Sequence, residues 1–229
     1  MEKQNTVKNK NTSTKRFWLS GLGAISLGVL IGMTILFWYK PRAYKPLQPE
    51  NPEQVSVYLT DELGPDFFNQ VQLDEPFELI IQQAGLNDII SRLDWPQQIG
   101  EMDFSDPCII FSDQSILLMG SLKYKEISSI VSILALPTID SDGQICLNIQ
   151  SVHLGMMPVT KLVKTLSQKA LDANRDSFEE DPNAEKIVQS IINNAPFDPV
   201  FLIPDRQVRV LHFTLEQQVL KLMLLPEKS

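Results

Sequence analysis

Two histidines, two cysteines and one run of alternating acids are the residues whose types could do chemistry in this chain of 229 residues. His153 and His212 could hold a metal or move a proton. Neither has a second histidine, a cysteine or an acid at ligand spacing, so no metal centre is legible. Each reads as a structural histidine. Cys108 and Cys146 could close one disulfide in an oxidising compartment. Both sit in apolar runs, which suits two buried free thiols equally well. Asp140 and Asp142 alternate in "DSDG", but no glutamate stands at the twelfth position of a calcium loop. The stretch "SFEEDPNAEK" reads as an acidic lead-in to a helix, because carboxylates favour helix N-termini. A nucleophile elbow, a phosphate-binding glycine loop and paired catalytic acids are all missing. The sequence therefore names no catalytic residue and no cofactor.

The elements that must position these residues form an α+β pattern. "VSVYLT" (55–60) alternates and predicts a short strand; "PFELII" (76–81) predicts another. "AGLNDIISRL" (84–93) has helical spacing and stops before Trp95-Pro96. "PCIIF" and "SILLMGSLKY" follow as strands around the turn "SDQ". "EISSIVSILALPTI" and "QICLNIQSVHLG" read as one long hairpin around "DSDG". Two helices are expected in "MPVTKLVKTLSQKALDANRD", with Pro158 in its first turn, and in "DPNAEKIVQSIINNAP". "PVFLI", "QVRVLHF" and "QVLKLMLLP" close the chain as strands. Hairpin connections dominate, so the sheet is expected to be mainly antiparallel, with about three helices in the domain.

Several strands are apolar on both faces. Ile130, Leu134 and Leu136 share one face of "ISSIVSILALP", while Val131, Ile133 and Ala135 share the other. Leu117 and Met119 oppose Ile116 and Leu118 in the same way. A sheet with one wet face does not look like this. Either the protein covers both faces, or an apolar ligand or partner does. On the second reading the contacts are Leu117, Met119, Ile130, Leu134 and Leu136.

Location is legible from the N-terminal part. Residues 17–39, "FWLSGLGAISLGVLIGMTILFWY", carry no charge. As a helix they reach roughly 34 Å, enough to cross a hydrocarbon core of about 30 Å. Trp18, Trp38 and Tyr39 sit where an aromatic belt would place them. The run is too long for a signal peptide and lacks a clear cleavage site, so it reads as a retained anchor. Five basic residues precede it in the tail 1–16 and three follow, a bias that places the N-terminus in the cytoplasm and the bulk outside the cell membrane. Ser20, Ala24, Gly28 and Gly32 recur every four residues. Such a ridge serves helix self-association, as in a homodimer, or docking to another membrane protein; it also matches ordinary glycine enrichment in membrane helices. Residues 40–54 hold four prolines and predict a semi-rigid spacer, with an extracytoplasmic α+β domain over 55–229.

Charge narrows the partners. The first 45 residues hold eight basic residues and one acid, leaving 12 basic against 27 acidic in the remainder, a net of −15. So acidic a domain is expected to be repelled by nucleic acid and by anionic headgroups.

The stretches "FELIIQQAGLNDIIS", "ALPTIDSDGQICLNIQSVHLGMMP" and "PDRQVRVLHFTLEQQVLKLMLLP" resemble those of the YpmS-like single-pass membrane proteins. The shared pattern is a helix opening with Leu86-Asn87, a long hairpin, a step from Gly155 to Pro158 and closing strands. The order of elements is also similar to tubular lipid-binding folds, in which a curved sheet lines an apolar conduit. That similarity implies acyl chains against the second face of "ISSIVSILALP", and a lipid as partner. Without it, a non-catalytic envelope scaffold or protein-interaction subunit is the alternative.

Overall fold

The "DSDG" turn shows how locally the chain obeys its sequence. Asp140 Oδ1 accepts from the backbone N–H groups of Asp142 and Gln144, each at 2.9 Å, and Gly143 takes a φ of +76°. In the computed structural model, which describes residues 27–99, 101–161, 163, 165, 190, 193–203 and 206–227, the turn joins two short strands. The long hairpin predicted around it is broken. Its outer parts are β5 (Ile127–Ala135) and β8 (Ile149–Leu154); its tip is β6 (Thr138–Ile139) paired with β7 (Ile145–Cys146). A register shift at Leu134/Ala135 and Pro137, which has no N–H to donate, interrupt the ladder between them.

The fold is α+β, and every pairing is antiparallel. One sheet has six strands: β2 (Gln97–Ile99), β3 (Met102–Ser112), β4 (Ser115–Tyr124), β5, β8 and β9 (Met157–Pro158), in that spatial order. A second has four: β1 (Phe77–Gln82), β12 (Val219–Glu227), β11 (Arg206–Glu216) and β10 (Val200–Ile203). Helix α1 covers 27–38, α2 is Gly64–Val71 and α3 is Gln83–Ser91. The inner face of the four-stranded sheet forms a core from Phe77, Leu79, Val208, Val210 and Leu224, closed by Val71 of α2 and by Phe197. Ile149, Val152 and Val159 form a second core with Val131 and Ile133 of β5.

Side chains stand in for missing strands along the edges. The outer edge of β3 lacks a β2 partner beyond Phe104. There the Asn87 amide of α3 donates to the Ile109 carbonyl at 2.7 Å and accepts from its N–H at 2.8 Å. Gln83 Oε1 accepts from the Phe111 N–H at 2.7 Å. Along β1, Tyr58 Oη accepts from the Gln82 N–H at 2.9 Å. Occupied edges cannot recruit a foreign strand.

Three sequence expectations change. Residues 55–60 are not a strand: a π-helical turn, Tyr58–Leu63, leads into α2. Val57 and Leu59 are exposed, so their alternation buries nothing, while Ser56 Oγ accepts from the Leu59 N–H and Pro65 sits in the first turn of α2. Pro158 lies in β9 opposite His153, and the helix opens after it, at Thr160. The polar strand β2 had no apolar alternation to announce it. Most of the two helices expected over 158–195 falls outside the described residues. So does the first part of the expected membrane span, 17–26, with Ser20 and Ala24. Among the described residues no helix is long and apolar enough to cross a membrane. Within α1, Leu27, Val29, Leu30, Ile31 and Ile35 are exposed, and an added Cβ at Gly28 or Gly32 would meet nothing.

Candidate binding face of the six-stranded sheet

Register brings together four of the five residues expected to contact an apolar ligand. Leu117 pairs with Leu134, Met119 with Ser132, and Ser121 with Ile130. At period two, Leu117, Met119, Ile130 and Leu134 therefore share a face. Leu136 lies past the end of β5, its N–H donating to the Asn148 carbonyl.

The chain's own 40–45 segment covers the middle of this face. Tyr44 is buried against Cys108 and Met119, with Leu117, Ile130 and Ile110 packed around them. Met119 is 1% exposed. The Tyr44 hydroxyl donates to the Asp106 carbonyl at 2.9 Å, and the Cys108 thiol reaches the Lys45 carbonyl at 3.6 Å. Burial, reinforced by the charge of Asp106 and by Cys108, pushes the Tyr44 phenol up to about 12. Leu134 and Leu136 remain half-buried. The proline-rich stretch expected as a spacer is thus partly a cover for the sheet. Its far end is held by Arg92, which donates to the carbonyls of Asn51 and Gln54 and pairs with Asp88 at 3.0 Å. Ser56 Oγ donates to the other oxygen of Asp88.

Its near end is the joint with α1. The Leu36 carbonyl accepts from the Met156 N–H at 2.8 Å, and the Phe37 carbonyl from Ser129 Oγ at 2.7 Å. Carbonyls in the last turn of a helix have no partner within it, and here the domain supplies one. Gly155 makes the approach possible. Its φ is +59°, and a Cβ there would stand 2.3 Å from the Leu36 oxygen and 2.4 Å from that of Phe37.

Beyond Ser121 the same face turns polar. Asp103 pairs with Lys123, Lys123 with Ser128, and Ser105 with Ser121. With Trp95, Asp106 and Glu126 they line an open cleft of 630 Å³. Asp103, Asp106, Lys123 and Glu126 form no ion pair among the described residues. Trp95 stacks edge-on against Phe104, and its indole N–H donates to the Ile90 carbonyl. This cleft is not among the sequence expectations. Its signal was the alternation of Asp103 with Ser105 and of Ser121 with Lys123 at the ends of otherwise apolar strands.

The candidate reactive residues stay apart. Cys108 and Cys146 are both free thiols, on β3 and β7. Cys146 donates to the Asn194 carbonyl at 3.0 Å. His153 lies across from Ser132, and Ser132 Oγ is buried without a partner among the described residues. Among the described residues no acid is hydrogen-bonded to either of them. His212 is exposed, 3.5 Å from Thr214 Oγ1. The described residues contain no cluster of three potential metal ligands. Comparison with models of protein families, with curated proteins and with solved structures found no match.

Proposed function

We propose that the chain is a single-pass membrane protein whose extracytoplasmic domain is a non-catalytic binding subunit, a scaffold mounted on its anchor. The observation that carries this reading is the joint at Leu36 and Phe37. An exposed, uncharged helix ends against the domain's backbone, so the binding face stands at a fixed place above the anchor rather than on a loose tether. The open cleft with its unpaired charges is the part of that face free to meet a partner. Alkaline extraction of membranes, combined with protease digestion from the outer side, tests the placement. The full chain should stay with the membrane and lose its domain to external protease; release by alkali, or protection of the domain, contradicts the reading.

A lipid or other apolar ligand is the second reading, favoured by the half-buried pair Leu134 and Leu136 at the margin of the Tyr44 cover. Lipid retained by the purified chain in native mass spectrometry, and lost in Leu134→Asp, supports it. A chain that carries no lipid leaves the scaffold alone.

A further inference from the structure

We propose that the β4–β5 turn and the β8–β9 turn form a membrane-contacting foot, which seats the domain on the lipid surface around the exit of α1. This rests on the reading of α1 as a membrane anchor. Ser129 and Met156 bond the last carbonyls of the helix, so whatever lies beside them lies at the level where the apolar segment ends. Trp38 and Tyr39 mark that level, since amphipathic rings collect at membrane interfaces. The side chains beside the joint are apolar and open. Ile127, two residues from Ser129 on the same face of β5, is 52% exposed, and Met156 is 50% exposed. Tyr124, the strand partner of Ile127, is exposed as well. None of them is needed to fill a core of the domain.

The charges beside this patch suit headgroups. Lys125 lies 5.1 Å over the Tyr124 ring and Lys40 lies 5.2 Å over the Tyr44 ring. Lys125 thus stands in the β4–β5 turn, and Lys40 with the exposed Arg42 in the segment that leaves α1, a combination of basic and apolar side chains that attracts anionic lipid and lets long basic side chains reach phosphates. Glu126 opposes them within the turn, and the strong negative charge of the rest of the domain keeps its other surfaces off an anionic bilayer. The opposite end of β4 offers a control. Asp113 lies at the β3–β4 turn, about 30 Å away along a strand of ten residues. The open cleft, whose lining includes Lys123, Glu126 and Ser128, is thereby held close to the headgroups.

Photolabelling of the full chain in vesicles tests this without altering a residue. The vesicles contain phosphatidylcholine and phosphatidylglycerol, with a small fraction of lipid carrying a diazirine near the headgroup. Adducts are mapped by mass spectrometry. The expected pattern is labelling at 38–39, at 124–127 and at Met156, with none at Asp113. Labelling of α1 without 124–127 and Met156 overturns the foot and leaves the anchor standing. Absence of label from α1 as well removes the anchor reading and the foot with it. In Ile127→Asp the label at 124–127 should be lost while the label at 38–39 persists; retention of both shows that the tip does not enter the lipid.

Discussion

The backbone N–H of Met156 donates to the carbonyl of Leu36 at 2.8 Å, joining the turn after β8 to the last turn of α1. One hydrogen bond of this kind contributes about 1 kcal/mol net. Its weight here is geometric, because a second bond, from Ser129 to Phe37, and the close approach at Gly155 act at the same point. Together they fix where the domain sits relative to the helix.

Gly155 is the residue on which that joint is most exposed to change. Gly155→Val should free residues 36–45 from the domain and strain the turn beside the Val152 and Val159 core, while the four-stranded sheet, whose core lies elsewhere, stays folded. Limited proteolysis of the full chain in detergent is the check. Cleavage within 36–45 should be fast in the variant and slow in the parent; equal rates would show that the joint does not hold the segment.

Asn87 closes the open edge of β3 with two hydrogen bonds to one residue, the pattern that a neighbouring strand would make. Asn87→Ala leaves the Ile109 N–H and carbonyl unpaired. The expected loss is about 1–3 kcal/mol of unfolding free energy, measured from the denaturant midpoint. The bared edge should also make the variant aggregate during refolding. An unchanged midpoint would mean that water replaces the amide at no cost.

Tyr44 gives the cover a signature in pH. Its folded pKa lies above its unfolded value, so the folded state holds the phenolic proton longer. The stability this contributes is complete below about 10, the usual tyrosine pKa, and is lost as pH rises through about 12. Tyrosinate absorbance of the native chain should show one late titrating step that is missing in Tyr44→Phe. If the variant and the parent titrate alike, the ring is not buried under the 40–45 segment. Truncation to Tyr44→Ala should cost about 3–5 kcal/mol, the range for large aromatics in cores, and should expose Met119.

Arg92 holds the far end of the cover through two carbonyls and Asp88. Bonds from a charged donor contribute about 1.5–3 kcal/mol each when shielded, and less where water competes. Arg92→Ala should speed amide exchange over residues 51–56 more than over the strands, as read by hydrogen–deuterium exchange mass spectrometry. A uniform increase across the domain would instead mark Arg92 as a contributor to global stability.

Where strands and turns follow local rules, they were legible in the residues. The "DSDG" turn, α3 and the strands flanking "SDQ" all follow from spacing and turn chemistry. The two-sided strands were legible too, but not what covers them. The cover on the second face is Tyr44, inside a proline-rich stretch whose composition signals extension and carries no pattern for packing. Residues 55–60 misled because alternation there is coincidental: Val57 and Leu59 face solvent, and Ser56 with Pro65 sets a helical course. The polar cleft was hard to read because it assembles from the ends of three strands, the β4–β5 turn and the loop at Trp95, with three polar residues from β3 and no more than two from any other element. The roles of Asn87 and Gly155 lie in contacts with residues far away in the chain, and neighbouring sequence holds no trace of them.

The central claim is that the domain is mounted rigidly on the end of α1. The most direct measurement is the distribution of distances between two spin labels, at Leu30→Cys in the helix and Asp113→Cys at the far tip of the sheet. The background is the full chain with Cys108→Ala and Cys146→Ser, reconstituted in lipid nanodiscs and shown to be folded by circular dichroism. A single narrow distribution, broadened by Gly155→Val, is the predicted result. A broad distribution in the parent chain, unchanged by Gly155→Val, would show a domain swinging freely on the end of α1 and would contradict the account.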